Sequence, residues 1–108
     1  EGLNTRPTTD RVKESLFNIL TPRIAGSVIL DLYAGTGNLG IEAMSRGARS
    51  AVFVDSSRSS VEIIRENLRH TGFSESSEVI PADVFRAVGL LAKQKRSFDI
   101  IFMDPPYG

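Results

Sequence analysis

The sequence predicts an α/β domain with a doubly wound, mainly parallel sheet, its strands in the order 3-2-1-4 and helices on both faces. Three observations carry the prediction. Short apolar runs alternate with segments of helical spacing, and short links between them imply right-handed crossovers. The first run passes through a glycine turn directly into a helix. The last run is almost continuously apolar, the pattern of a strand covered on both faces. At 108 residues the chain is expected to be a single domain, 1–108, with one core.

Taken in order, residues 1–7 are polar and aperiodic and read as a loop. Thr8, Thr9 and Asp10 offer helix-capping oxygens. Val12, Leu16, Phe17, Ile19 and Leu20 then form an apolar stripe on a helix of about three turns that Pro22 should end. Val28 to Ala34 reads as the first strand, Leu39 to Arg46 as a short helix stopped by Gly47, and Ala51 to Asp55 as the second strand. Ser59 or Ser60 can cap a third helix with Val61, Ile64 and Leu68 on one face and Gly72 as its stop. Glu78 to Pro81 is a short third strand. Asp83 then caps a helix carrying Phe85, Val88, Leu91 and Ala92, and Phe98 to Asp104 is the fourth strand. In the predicted order that strand would be an open apolar edge, which suggests that the chain is a piece of a longer protein.

Composition narrows the class without naming a partner. Hydrophobic residues make up 41% and charged residues 24%, ordinary for a folded domain, and no apolar run approaches membrane-spanning length. The absence of cysteine excludes disulfides and thiolate metal sites and suits a cytoplasmic protein; no metal site is expected. Net charge is zero, yet ten of the thirteen basic residues are arginine, which leaves room for a local phosphate-binding face.

The glycine turn Gly35-Thr36-Gly37-Asn38-Leu39-Gly40 fits G-x-G-x-x-G between a strand and a helix. The unpaired amides at that helix start can hold a nucleotide-like ligand. Asp55, with Ser56 behind it, ends the second strand about twenty residues on, where a carboxylate can accept both hydroxyls of a ribose. Two cofactor classes compete at such a crevice, dinucleotides and S-adenosylmethionine (SAM). Asp31, four residues before Gly35, repels a pyrophosphate but suits a cationic sulfonium with its α-ammonium group. Asp83 can accept from an adenine amino group while the Val84 amide donates to the adjacent ring nitrogen, although helix capping alone would also explain Asp83. Asp104-Pro105-Pro106-Tyr107 is the most informative tetrad. Its prolines hold carbonyl acceptors rigidly at the strand's end. Asp104 and the Pro105 carbonyl can orient an exocyclic amine, and Tyr107 can stack on a planar base.

Glycine loop and tetrad together resemble motifs one and four of amino-group methyltransferases of the seven-stranded, Rossmann-like SAM-dependent class. The segments running from Arg6 to Leu20 and from Asp31 to Ala43 further resemble the bacterial RsmD-type family, which methylates guanine N2 in 16S ribosomal RNA. The resemblance covers nearly the whole chain but lacks the family's N-terminal β-ribbon and everything beyond Gly108. It implies Asp31, Gly35, Thr36, Gly37 and Asn38 as cofactor-loop residues, Asp55 and Ser56 at the ribose, and Asp83 with Val84 at the adenine. It further implies Asp104, Pro105, Pro106 and Tyr107 as the catalytic tetrad, and Thr9, Asp10 and Arg11 as a segment closing over the cofactor. Ribosomal RNA and the small ribosomal subunit are the implied partners, and Arg6, Arg11 and Lys13 the candidate RNA contacts.

Other readings stay open at this level. The tetrad also suits adenine N6 in DNA or a glutamine side-chain amide as acceptor. A SAM- or RNA-binding fragment without turnover, or an NAD-dependent oxidoreductase, would share the glycine turn. His70, in the last turn of its helix, suits the helix dipole better than a metal. Lys93, Lys95 and Arg96 read as a solvated helix exit.

Overall fold

The computed structural model describes residues 8–105, and the side chains of 11–105. Helix α1 (Thr8–Ile24) leads into strand β1 (Val28–Leu32), followed by α2 (Asn38–Ser45), β2 (Ser50–Val54), α3 (Arg58–Thr71), β3 (Ser77–Ile80), α4 (Val84–Lys93) and β4 (Ile100–Met103). A 3-10 turn at Ser74–Ser76 precedes β3. The four strands form one parallel sheet in the order β3-β2-β1-β4, as the sequence predicts.

The sheet separates two apolar layers. On one face Ile29, Ala51 and Phe53 pack against Phe17 of α1, Ala43 and Met44 of α2, and Ile64 and Leu68 of α3. On the other, Leu30, Leu32, Val52 and Val54 pack against Val84, Ala87 and Leu91 of α4. Both sets follow from the period-2 alternation of a strand meeting the i, i+3, i+7 line of a helix.

Several boundaries and faces differ from expectation, each for a physical reason. Helix α1 continues past Pro22 to Ile24. Pro22 lacks only the amide that would reach the Asn18 carbonyl, a loss confined to the last turn. The expected stripe of α1 is in fact two lines. Phe17, Leu20 and Ile24 turn inward, whereas Val12, Leu16 and Ile19 are 59%, 50% and 73% exposed. Strand β1 ends at Leu32, because Tyr33 turns into the left-handed region at φ 58°. Ser57, not Ser59 or Ser60, caps α3, its hydroxyl accepting from the Ser60 amide; the stop at Gly72 is as expected. In α4 the buried line is 84, 87 and 91, so Phe85 and Val88, expected in the core, face outward, Phe85 being 84% exposed. Strand β4 is covered on one face only: Ile100 and Phe102 join the core, while Ile101 and Met103 are exposed, with no described helix packed over them.

Candidate ligand site at the carboxyl end of the sheet

The order of the strands reverses between β1 and β4, and a switch point of this kind is where an open α/β sheet has a crevice at the carboxyl ends of its strands. A cavity of about 700 Å3 lies there, within the roughly 300–1,000 Å3 range of small-molecule sites. Gly35, Thr36 and Asn38 line it from the β1–α2 turn, Asp55 and Ser56 from the end of β2, Asp83 and Val84 from the start of α4, and Asp104 from the end of β4. Eight of the cofactor and catalytic residues expected from sequence thus share one cavity.

The glycine turn is tied down from three directions. The Gly35 amide donates to Asp55 Oδ2 at 2.8 Å, and the Ser57 amide donates to Asp55 Oδ1 at 2.9 Å, so this one carboxylate couples the loops after β1 and β2. The Gly37 amide donates to the Ala34 carbonyl, and Asn67 Nδ2 of α3 donates to the Thr36 carbonyl at 2.9 Å. Gly37 caps α2 in the left-handed region at φ 85°, with no side-chain cap. Gly40 is required for a different reason: a Cβ there would lie 2.3 Å from Phe53 Cε2, so only glycine lets α2 approach β2 this closely.

Asp31 is buried on the α2 side of β1 and accepts the Gly40 amide on Oδ2 at 3.0 Å. It stands behind the cavity wall and is not a lining residue. Burial is the main cause that pushes its pKa up to about 7. The Gly40 hydrogen bond opposes the shift, the charges of Asp104 and Asp55 add to it, and Lys13 opposes it. A cationic ligand above it would favour the ionised form.

These bonds narrow the expectation that open amides at the start of α2 hold the ligand to amides of the turn other than those of Gly35, Gly37 and Gly40. The amides of Gly35, Gly37 and Gly40 already have acceptors within the chain. Asp83 does cap α4, its Oδ1 accepting from the Arg86 amide at 2.9 Å, and also lines the cavity, so the two readings of this residue are compatible. Gly37 is buried beneath the turn, and Pro105 follows Asp104 without lining the cavity. Arg11 is not brought to the site: it lines a separate surface cleft with Val12, Ser15, Leu16 and Ile19. The side chains of Thr9 and Asp10, and Arg6, Pro106 and Tyr107 altogether, lie outside the described residues. His70 Nε2 lies 2.7 Å from Glu66 Oε2, one helical turn back.

Sequence reasoning missed several contributors. Helical spacing puts Phe85 in the core, and it instead lines the cavity. Tyr33 lines it in a left-handed conformation that costs a non-glycine residue about 1 kcal/mol or more. Asn67 carries no local signal, since its role depends on where α3 packs. Lys13, expected only as an RNA contact, lines the cavity from α1.

A doubly wound sheet ordered 3-2-1-4 with a cavity at the switch point is a Rossmann-like fold, and it superposes on a solved putative methyltransferase of Escherichia coli with a TM-score of 0.79 at 35% identity, over 97% of this chain and 57% of that one. Within that class, the chain belongs to the family described as conserved hypothetical protein 95, whose model matches residues 1–108. YlbH of Bacillus subtilis is 44% identical over 98% of this chain and 58% of its own length. Ribosomal RNA small subunit methyltransferase D of Haemophilus influenzae is 42% identical over 99% of this chain and 54% of its own. A solved structure of a Thermus thermophilus protein superposes with a TM-score of 0.82 at 33% identity, over 98% of this chain and 61% of that one. The chain thus spans somewhat more than half the length of these curated relatives.

Proposed function

We propose that the whole protein is a SAM-dependent methyltransferase acting on the exocyclic N2 amino group of a guanine in 16S ribosomal RNA. The observation that carries the cofactor reading is the state of the glycine loop: the amides of Gly35 and Gly40 are taken by Asp55 and Asp31. A pyrophosphate would find those donors engaged and would meet like charge, which disfavours the NAD-dependent alternative. A sulfonium and an α-ammonium group would meet attraction. The donor set fits SAM on the same grounds, with three carboxylates, Asp55, Asp83 and Asp104, lining one cavity.

When bound, SAM supplies an electrophilic methyl group on sulfur. Asp55 accepts the ribose hydroxyls on lone pairs that the Gly35 and Ser57 amides leave available, because an ionised carboxylate offers about four acceptor sites. Asp83 accepts from the adenine amino group. The Val84 amide, which has no intrahelical acceptor at the first position of α4, donates to the neighbouring ring nitrogen. Asp104 and the Pro105 carbonyl accept from the acceptor amine and turn its lone pair toward the cavity; Pro106 and Tyr107 complete the tetrad, Tyr107 stacking on the base. A paired guanine cannot reach this crevice, so the base must be flipped or presented in a loop. Small-subunit ribosomal RNA as the substrate is supported by the name of the Haemophilus influenzae relative, ribosomal RNA small subunit methyltransferase D; guanine N2 as its acceptor rests on the tetrad and the family resemblance. Its substrate would place the protein in the cytoplasm with ribosomal RNA as partner.

The test is transfer of tritiated methyl from SAM by the whole protein to small ribosomal subunits from cells lacking the enzyme. Label on guanine N2 is expected. Label on adenine, or transfer to DNA or to a protein glutamine instead, overturns the acceptor. Binding of S-adenosylhomocysteine (SAH) without transfer to any of these acceptors would reduce the chain to a binding module. Binding of NADH but not SAH would overturn the cofactor.

A further inference from the structure

Lys13 is the basic side chain lining the main cavity among the described residues, a cavity that Asp55, Asp83 and Asp104 also line. It stands on the Asp104 side, since Lys13 and Asp104 also line a smaller hollow of about 200 Å3 between α1 and β4. Its charge is felt by Asp31, yet Lys13 has no ion-pair partner among the described residues. Its side chain is exposed, and no packing demand explains its position.

The ligand proposed above carries both signs of charge at its amino-acid end. The acids around the crevice suit its ammonium and sulfonium groups but repel its α-carboxylate. Backbone donors are the usual remedy, and of the turn's amides three, those of Gly35, Gly37 and Gly40, are already engaged. Among the described residues, the ammonium of Lys13 is the one side-chain cation on the cavity wall. We infer that Lys13 holds the α-carboxylate of the cofactor's amino-acid end, so that the cavity selects adenosyl ligands bearing an intact carboxylate. The inference rests on the SAM reading of the cavity. It gives α1, whose line of Val12, Leu16 and Ile19 is exposed, a contact to the ligand as well as to the core.

The experiment compares two ligands by calorimetry on the full chain: SAH, and 5′-methylthioadenosine, which lacks the amino-acid carboxylate. Lys13→Ala is expected to weaken SAH about tenfold, the scale of one charge-assisted hydrogen bond, and to leave methylthioadenosine unchanged. Lys13→Arg is expected to retain SAH within about threefold, because the cation is kept. Thermal melting should be the same in all three proteins, since the replaced side chain is exposed. If Lys13→Ala leaves SAH unchanged, or weakens both ligands equally, the carboxylate role is overturned while the SAM reading stands. Loss of RNA affinity with SAH binding intact would assign Lys13 to phosphate instead and equally overturn it. If the unaltered chain binds neither ligand, the SAM reading falls and the inference with it.

Discussion

The β1–α2 corner and helix α1 border the same cavity but are held in different ways. In the corner, the three glycine amides each have an acceptor a short distance away: Gly35 on Asp55, Gly37 on Ala34, Gly40 on Asp31. Helix α1 is held by side chains from elsewhere in the chain. Phe17 meets Phe102 with ring centroids 5.5 Å apart, and Arg46 of the α2 C-terminus lies 5.3 Å above the Phe17 ring while donating to Asn18 and Thr21. A corner built from local hydrogen bonds and glycine geometry has few alternative arrangements. A helix held by one line of packed residues depends on which line the core selects.

Substitutions can break this contrast, beginning with the largest effect. Phe17→Ala removes the ring joining α1 to α2 and β4 and should cost about 3–5 kcal/mol in urea unfolding; a loss below about 1 kcal/mol would show that α1 is not anchored there. Asp31→Asn tests the corner through pH. The folded-state pKa of Asp31 is raised to about 7 from 3.8, so between these values the folded chain binds the proton more tightly than the unfolded one. Its contribution is therefore most favourable at low pH and is lost as pH rises toward 7. Asparagine keeps an acceptor for the Gly40 amide without the buried charge. The variant should match the original chain near pH 4 and exceed it at pH 8, by on the order of 4 kcal/mol at most. A stability gap that does not change with pH would refute the assignment.

Gly40→Ala drives a methyl group into the Phe53 ring, at the 2.3 Å separation of an unrelaxed Cβ. It should cost about 2 kcal/mol, overpacking outweighing the gain in helix propensity, and should weaken SAH binding because the turn shifts with α2. Leu16→Ala, next to Phe17 but on the exposed line of α1, should change stability by less than about 0.5 kcal/mol. A larger loss in the isolated chain would mean that this line is covered.

The same contrast explains what was legible. The glycine spacing, Asp55 about twenty residues on and the Asp83 cap were readable because each depends on residues near in sequence or on the fixed geometry of a strand–turn–helix unit. The faces of α1 and α4 were not. In both helices the apolar residues outnumber what one face can bury, and periodicity alone does not choose between 12, 16, 19 and 17, 20, 24, or between 85, 88, 92 and 84, 87, 91. The choice placed Phe85 in the ligand cavity and left Leu16 exposed.

By itself the sequence determined the strand order, the switch point and the set of acids gathered there, since alternating strands and helices with short right-handed links admit few topologies. Only the tertiary structure decided that Asp55 and Asp31 occupy the amides of Gly35 and Gly40 and that Lys13 lines the cavity with no ion-pair partner among the described residues. These depend on angstrom-scale distances between segments far apart in the chain. Spacing along the sequence determines which residues arrive at the crevice, and packing determines which of their donors and charges are left for a ligand.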